Sequence, residues 1–121
     1  MGNVVRGKSY QFSIKIVETC IYLSKEKKEF VLSKQLMRSG TSVGANIEEA
    51  IAASSPKDFI NKLTIVQEET DETLFWLELL SELKLSADTA QLDHLMKECT
   101  EILRIITSAL ITLKKKRDNK S

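Results

Sequence analysis

The sequence predicts an all-α fold, an antiparallel up-down-up-down four-helix bundle, and three observations support this. Apolar residues recur at spacings of three and four along four segments, which is the period of a helix with one buried face. The chain has only 4 glycines and 1 proline in 121 residues, too few for the many tight turns of a β-rich fold. The breaks between the segments are short, and short connections make consecutive helices antiparallel neighbours.

We expect one domain over residues 1–121, because a chain of this length buries a core large enough to fold without a metal or a disulfide. The predicted helices are 9–27, 33–53, 56–83 and 87–115. Ser33, Ser55 and Ser86 are the predicted N-caps. Pro56 suits the first helical position, where a backbone N–H would have no partner.

The first predicted helix carries more apolar surface than one core needs. Two stripes lie side by side on it, Tyr10, Ile14, Val17 and Ile21, and Phe12, Ile16, Cys20 and Leu23. Together they cover more than half of the helix circumference, whereas a helix packed on one core needs a narrower band. We therefore predict that one flank of this helix contacts something else, with another subunit as the candidate.

Charge is distributed unevenly along the chain. Residues 1–47 carry a net charge of +5, residues 48–113 carry −8 and residues 114–121 carry +4. This pattern fits a nucleic-acid footprint, complementary surfaces between subunits, or ordinary solvated helix faces. The basic tail 114–121 is predicted to be disordered. The candidate nucleic-acid contacts are the cations in and just after the first helix and in the tail, Lys15, Lys25, Lys27, Lys28, Lys114, Lys115, Lys116 and Arg117.

The second predicted helix combines two glycines with a set of polar side chains. Gly40 and Gly44 fall on its apolar stripe, and glycine in a helix interior costs about 1 kcal/mol relative to alanine. We therefore expect a neighbouring helix to approach closely there. The polar set is Arg38, Ser39, Ser42, Asn46 and Glu49. Two interpretations stay open at this point, an inter-helix or inter-subunit polar network and direct contact with a ligand or nucleic acid.

The inventory of reactive side chains does not predict an enzyme. His94 is the only histidine, and no Cys or Ser has a sequence neighbour that would activate it. Cys20 and Cys99 are predicted to be buried reduced thiols. The acidic residues at 48–49 and 68–72 are similar to the carboxylate ligands of a di-iron four-helix bundle. Such a bundle also uses Glu-x-x-His pairs, which the chain lacks. We therefore predict no catalytic residue, no metal, no cofactor and no small-molecule substrate.

No apolar run reaches the ~20 residues of a spanning helix, and the N-terminus lacks the pattern of a secretory signal. We therefore predict a cytoplasmic protein without a membrane partner. The leading functional hypothesis is a homo-oligomeric bundle that binds RNA or DNA through basic residues of the first helix and the tail. The alternative is a protein-interaction scaffold in which Trp76, Leu79 and Leu83 dock a partner polypeptide.

The run from Gln35 to Ala50 resembles the central motif of the four-helix-bundle family encoded in 23S ribosomal RNA intervening sequences. Its Arg-Ser-x-x-Ser-x-x-x-Asn-Ile-x-Glu spacing begins at Arg38 and ends at Glu49. The resemblance covers nearly the whole chain, from about Tyr10 to Leu113, and its further matching segments are Ser55–Phe59, Lys62–Leu63, Glu68–Thr73 and Trp76–Leu77.

The resemblance implies an up-down bundle that assembles as a ring-like homopentamer, in a family whose biochemical role is poorly defined. The family is similar to the accessory protein of diversity-generating retroelements, a pentameric bundle that binds nucleic acid and partners a reverse transcriptase. By that likeness Arg38, Ser42, Asn46 and Glu49 form a structural or interface network, and exposed Lys and Arg form the nucleic-acid surface. The acidic middle departs from this pattern, because it leaves the chain less basic than a dedicated nucleic-acid binder.

Overall fold

The structure is a computed structural model that describes residues 2–84 and 89–120. Every regular element within these residues is a helix: α1 is Gly2–Glu26, α2 is Val31–Ile51, α3 is Pro56–Leu83 and α4 is Thr89–Asn119. The all-α class with four helices is therefore confirmed. The observed bounds of α3 coincide with the predicted ones, whereas those of the other three helices differ.

Helix α1 begins at Gly2, seven residues before the predicted start at Ser9. Val5 is only 3% exposed, so it extends the buried stripe that continues at Phe12. Ser9 is buried between them, and its hydroxyl donates to the carbonyl of Arg6 at 3.1 Å. Residues 6–9 contain no apolar side chain, and this gap in the apolar spacing hides the first turn of α1 from the sequence pattern.

Phe30 occupies the N-cap position of α2, and the side chain of the preceding Glu29 pairs with the first backbone N–H groups, so the predicted Ser33 cap is wrong. The Glu29 carboxylate accepts the backbone N–H of Val31 at 3.1 Å and that of Leu32. Ser33 lies inside the helix and is buried, with its hydroxyl donating to the Glu29 carbonyl at 2.7 Å and lying 3.2 Å from the hydroxyl of Ser24. The serine therefore ties the two helices together instead of starting the second one.

Helix α3 begins as the sequence predicts. The Ser55 hydroxyl accepts the backbone N–H of Asp58 at 3.1 Å, and Pro56 occupies the first helical position. The helix ends at Leu83 and is followed by Lys84, whose φ of 53° places it in the left-handed region. The predicted cap at Ser86 and the predicted start of the fourth helix at residue 87 lie outside the described residues.

Helix α4 continues to Asn119, so the prediction of a disordered tail is wrong for residues 114–119. Lysine and arginine are good helix formers, and cations are favoured at the negative end of the helix dipole. The basic composition that suggested disorder therefore also suits the last turns of a helix.

The hydrophobic core lies between all four helices, because α1 and α3 each pack on α2 and on α4. Every buried side-chain nitrogen or oxygen in the described part of the chain has a hydrogen-bond partner. None of the described helices is both long enough and apolar enough to span a membrane. The largest fully buried side chains are Phe12, Ile16, Leu23, Leu36, Ile47, Leu63, Leu77, Leu80, Leu92, Leu95, Ile102 and Ile106.

Candidate functional site

The two glycines of α2 lie against α1. A Cβ built on Gly40 would be 2.7 Å from Cγ2 of Ile16, and one built on Gly44 would be 2.8 Å from Oγ of Ser13. Both distances are shorter than ordinary van der Waals contact. The side chains of Ile16 and Ser13 therefore occupy the space that a Cβ on Gly40 or Gly44 would take, and at Gly44 the α1 backbone itself comes close, with the Ser9 carbonyl oxygen 3.5 Å from that Cβ position.

The polar set of α2 begins with Arg38, which faces α3. Its guanidinium pairs with the carboxylates of Glu69, at 3.4 Å, and Glu72. Glu72 also accepts the indole N–H of Trp76 at 3.0 Å. About half of the Arg38 side chain is exposed, so this cluster covers the outer edge of the contact between α2 and α3.

Ser39 lies beneath that cluster and is completely buried. Its hydroxyl is 3.0 Å from the hydroxyl of Thr73 on α3, and Thr73 also donates to the carbonyl of Glu69 at 2.7 Å. Both hydroxyls are 0% exposed and have a partner, so they add a hydrogen bond to the core without leaving an unsatisfied polar atom.

The remaining members of the polar set do not join Arg38 and Ser39. Asn46 donates its amide to the carbonyl of Ser42 at 2.9 Å, which is a bond within α2. Glu49 is exposed and accepts from Lys62 of α3 at 3.4 Å. Arg38, Ser39 and Glu49 thus contact α3 in separate pairs, whereas the bond between Asn46 and Ser42 stays within α2.

Lys15 is drawn into the contact between α1 and α4. Its ammonium group lies 2.6 Å from the Glu98 carboxylate and 2.9 Å from Nε2 of His94. His94 also pairs with Glu98, and about half of its side chain is exposed. Because Glu98 already balances its charge, Lys15 is poorly placed to contact a phosphate.

The other candidate cations are exposed and form two separate groups. Lys25, Lys27 and Lys28 lie at and after the end of α1, directly before α2 begins. Residues 116–117 lie beside the start of α3, shortly after α2 ends. The 21 residues of α2 span about 30 Å, so the two groups lie near opposite ends of that helix.

The basic end of α4 and the first turn of α3 line an open groove of about 630 Å³. Its apolar side chains are those of Pro56, Ile60 and Leu113, and none of its lining residues is acidic or aromatic. We call this feature the α3/α4 groove. Its remaining lining residues are Ser55, Lys57, Asn61, Lys116, Arg117 and Lys120.

Comparisons with known proteins place the chain among relatives that share this bundle. The family model for the 23S rRNA-intervening sequence protein matches residues 2–108. This chain belongs to the 23S rRNA-intervening sequence protein family. A similar crystal structure is that of a Bacteroides thetaiotaomicron protein of unknown function from the S23 ribosomal protein family. It shares 45% sequence identity with the chain, with a TM-score of 0.84, over 88% of this chain and 97% of its own. No curated protein matches the chain.

The match to the 23S rRNA-intervening sequence protein family includes α1 to α3 and most of α4, but it stops before Leu113. The polar set and both glycines therefore lie within the family segment, whereas the α4 side of the groove lies beyond it. Leu113, Lys116, Arg117 and Lys120 recur at helical spacing, and this pattern could have revealed a shared face. The assumption of a disordered tail concealed it.

The two cysteines are buried and lie on different helices. Burial raises the pKa of the Cys20 thiol and of the Cys99 thiol to about 12. Cys99 donates to the carbonyl of Thr70 at 3.3 Å. In residues 2–84 and 89–120, no three His, Cys, Asp or Glu side chains form a group that could hold a metal ion.

Proposed function

We propose that this member of the 23S rRNA-intervening sequence protein family is a non-enzymatic helical bundle that assembles with copies of itself and binds RNA or DNA. The exposed cations Lys114–Arg117, held on the last turns of α4, carry the nucleic-acid part of the proposal. Lys25, Lys27 and Lys28 form a second, separate contact, and Lys15 is no longer included because Glu98 neutralises it.

An antiparallel up-down-up-down arrangement of the four helices is part of this proposal, and contacts between distant residues support it. Arg6, early in α1, pairs with Glu48, late in α2, at 2.6 Å. Gln67, in the first half of α3, lies 3.1 Å from Thr107, in the second half of α4. Glu49, late in α2, likewise pairs with Lys62, early in α3.

The assembly part of the proposal rests on the outer face of α1. Of its two apolar stripes, the one with Phe12 and Ile16 is buried in the core. The other is exposed, by 64% at Tyr10, 40% at Ile14 and 45% at Ile21. An exposed apolar stripe beside polar residues is typical of a protein interface. A second copy is the occupant that we propose, and a ring of five copies is the arrangement that the family resemblance favours.

Nucleic-acid binding is tested by titrating a labelled RNA duplex with purified protein at about 50 and about 200 mM salt. We expect affinity to fall steeply with salt, because binding releases counterions from the phosphates. Replacement of Lys114, Lys115, Lys116 and Arg117 by glutamine should reduce both the affinity and the salt dependence. A matched variant with the same loss of charge elsewhere, at Lys34, Lys84, Lys97 and Arg104, should bind nearly as well as wild type. If neither duplex nor single-stranded RNA or DNA binds at low salt, nucleic-acid binding is wrong.

Assembly is tested independently by light scattering on the purified protein. We expect a mass several times that of the 13.7 kDa chain. A monomer at micromolar concentration would contradict the assembly part of the proposal and leave nucleic-acid binding untouched.

A protein-interaction scaffold is the second candidate, and the outer face of α3 favours it. Phe75 is 55% exposed and Leu83 is 50% exposed, beside the half-buried Leu79. Trp76, which the sequence assigns to this surface, is half-buried and donates to Glu72 instead. A partner polypeptide that no longer binds after Phe75→Ser and Leu83→Ser substitution would favour this function over nucleic-acid binding.

A further inference from the structure

The cations of the α3/α4 groove are available to an external anion. None of the ion pairs in the described part of the chain includes Lys57, Lys116 or Lys120. Arg117 contacts Asp118, its neighbour in sequence, at 3.2 Å, and both side chains are more than half exposed. Because exposed pairs of this kind are weak, a phosphate can compete for the guanidinium. The groove therefore brings together four cations, one from the first turn of α3 and three from the end of α4 and the residue just after it.

The groove differs from an ordinary basic surface because its floor is apolar. Ile60 is 8% exposed and belongs to the core, Leu113 packs against that core, and Pro56 is exposed at the start of α3. A phosphate gains nothing from these side chains. A ligand that uses the whole groove must therefore carry both anionic groups and flat or apolar surface.

We infer that the α3/α4 groove binds an unpaired strand of RNA or DNA in preference to a duplex. This inference rests on the proposed function, and it specifies which form of nucleic acid binds and where. In a duplex the base faces are stacked inside, so only the backbone and the groove edges reach a protein. In an unpaired strand the bases can turn outward, and their faces then cover the apolar floor while the phosphates meet the cations.

The lining residues also indicate how selective this binding is. Nonspecific single-strand binders usually stack bases on aromatic side chains, and the groove has none. Ser55 and Asn61 are its only uncharged polar side chains, which offers little for discrimination between bases. The groove therefore relies on its aliphatic floor in place of aromatic stacking and binds unpaired strands without a strong sequence preference.

The location is tested with a labelled, unstructured single strand of roughly 12 nucleotides and the same strand annealed to its complement. The variant Lys116→Gln/Lys120→Gln removes two groove cations, and Lys114→Gln/Lys115→Gln removes two cations from the same helix outside the groove lining. At about 50 mM salt we expect the first variant to lose roughly tenfold in single-strand affinity and the second less than about threefold. Equal losses would show that the groove is not the site.

The role of the apolar floor is tested with Leu113→Asn. The matched control is Ile111→Asn, because Ile111 is 55% exposed on the same helix and does not line the groove. We expect wild-type protein to bind the single strand about fivefold to tenfold more tightly than the duplex, because its bases cover an apolar floor that a duplex leaves in water. Leu113→Asn should remove most of that difference by weakening single-strand binding alone, and Ile111→Asn should preserve it. Circular dichroism melts confirm that each variant is folded.

The possible outcomes separate this inference from the proposed function. If duplex and single strand bind equally and Leu113→Asn changes neither, the inference is wrong and nucleic-acid binding stands. If neither oligonucleotide binds, nucleic-acid binding itself fails. An acidic helical peptide with one Glu face and one Leu face tests the remaining possibility. If the groove variants bind both oligonucleotides like wild type but no longer bind this peptide, the groove is a protein-docking surface and the inference is overturned.

Discussion

Gly40 and Gly44 lie one helical turn apart on α2, and the atoms that they face on α1 differ in their freedom to move. At Gly40 the nearest atom belongs to Ile16, a β-branched side chain that is 0% exposed. At Gly44 it is the hydroxyl of Ser13, a half-buried side chain that can rotate. The steric cost of a larger residue therefore falls mainly on Gly40.

We predict that alanine has different effects at these two glycines. Gly40→Ala gains about 1 kcal/mol of helix propensity but loses about 1–3 kcal/mol through overpacking, so the free energy of unfolding should fall. Gly44→Ala gains the same propensity and displaces only the Ser13 hydroxyl, which donates to the Ser9 carbonyl at 2.9 Å. Urea denaturation should therefore show Gly44→Ala to be neutral or stabilising. An equal loss at both sites would contradict the packing argument.

The buried thiols lead to a second prediction at this scale. Burial raises the pKa of Cys20 and of Cys99 to about 12, and only the thiolate reacts with disulfide reagents. At about pH 8 each thiolate fraction is near one in ten thousand. A chromogenic disulfide should therefore label neither cysteine in native protein and both after denaturation. Rapid native labelling that disappears in Cys20→Ala or Cys99→Ala would identify an accessible thiol.

The contact between α2 and α3 combines a buried hydrogen bond with an exposed ion pair. Removal of the hydroxyl in Ser39→Ala should lower the free energy of unfolding by about 1 kcal/mol, the usual contribution of such a bond. Arg38→Gln should cost less than about 1 kcal/mol, because half of the Arg38 side chain is in solvent. Urea unfolding of both variants provides the measurement. A larger loss of unfolding free energy for Arg38→Gln than for Ser39→Ala would contradict this prediction.

The contact between α1 and α4 has a pH-dependent component at Glu101. The Lys8 ammonium donates to its carboxylate at 3.0 Å and holds the pKa of Glu101 below its ordinary value. Because the folded pKa is lowered, this contribution to stability is present above the unfolded pKa and is lost as pH falls through the folded pKa. Carboxyl NMR titration should show the pKa of Glu101 rising in Lys8→Gln and unchanged in Lys25→Gln. No rise in Lys8→Gln would mean that the ion pair is absent in solution.

At the scale of the whole molecule, the two proposed binding surfaces are the exposed apolar stripe on α1 and the exposed cations at the end of α4. We predict that Tyr10→Lys/Ile14→Lys shifts the assembly towards the 13.7 kDa chain, because the charges would be buried in a subunit interface. Both residues are exposed in the single chain, so the fold should tolerate the change. Ile111→Lys, at a position 55% exposed on α4, is the control. An unchanged mass in light scattering would show that the stripe is not the interface.

Local pattern predicted much of the fold and some features of the candidate site. The four-helix all-α class and the Ser55–Pro56 start of α3 follow from the spacing and chemistry of neighbouring residues. The start of α1 does not follow from the pattern, because its first turn has a single core side chain, Val5, and residues 6–9 without apolar side chains separate it from Phe12. The cap of α2 does not follow from residue type, because Ser33 is of a favoured N-cap type but the helix already begins after Phe30, where Glu29 accepts the first backbone N–H groups.

The sequence by itself determined that the chain forms four helices and that α1 has more apolar surface than one core needs, because helical periodicity is a local property. Only the tertiary structure decided which apolar stripe of α1 is buried, that Lys15 pairs with Glu98, and that the polar set of α2 divides into separate contacts. It also brought the α4 cations beside the first turn of α3. These features depend on residues far apart in the chain, and no local spacing specifies which of them meet.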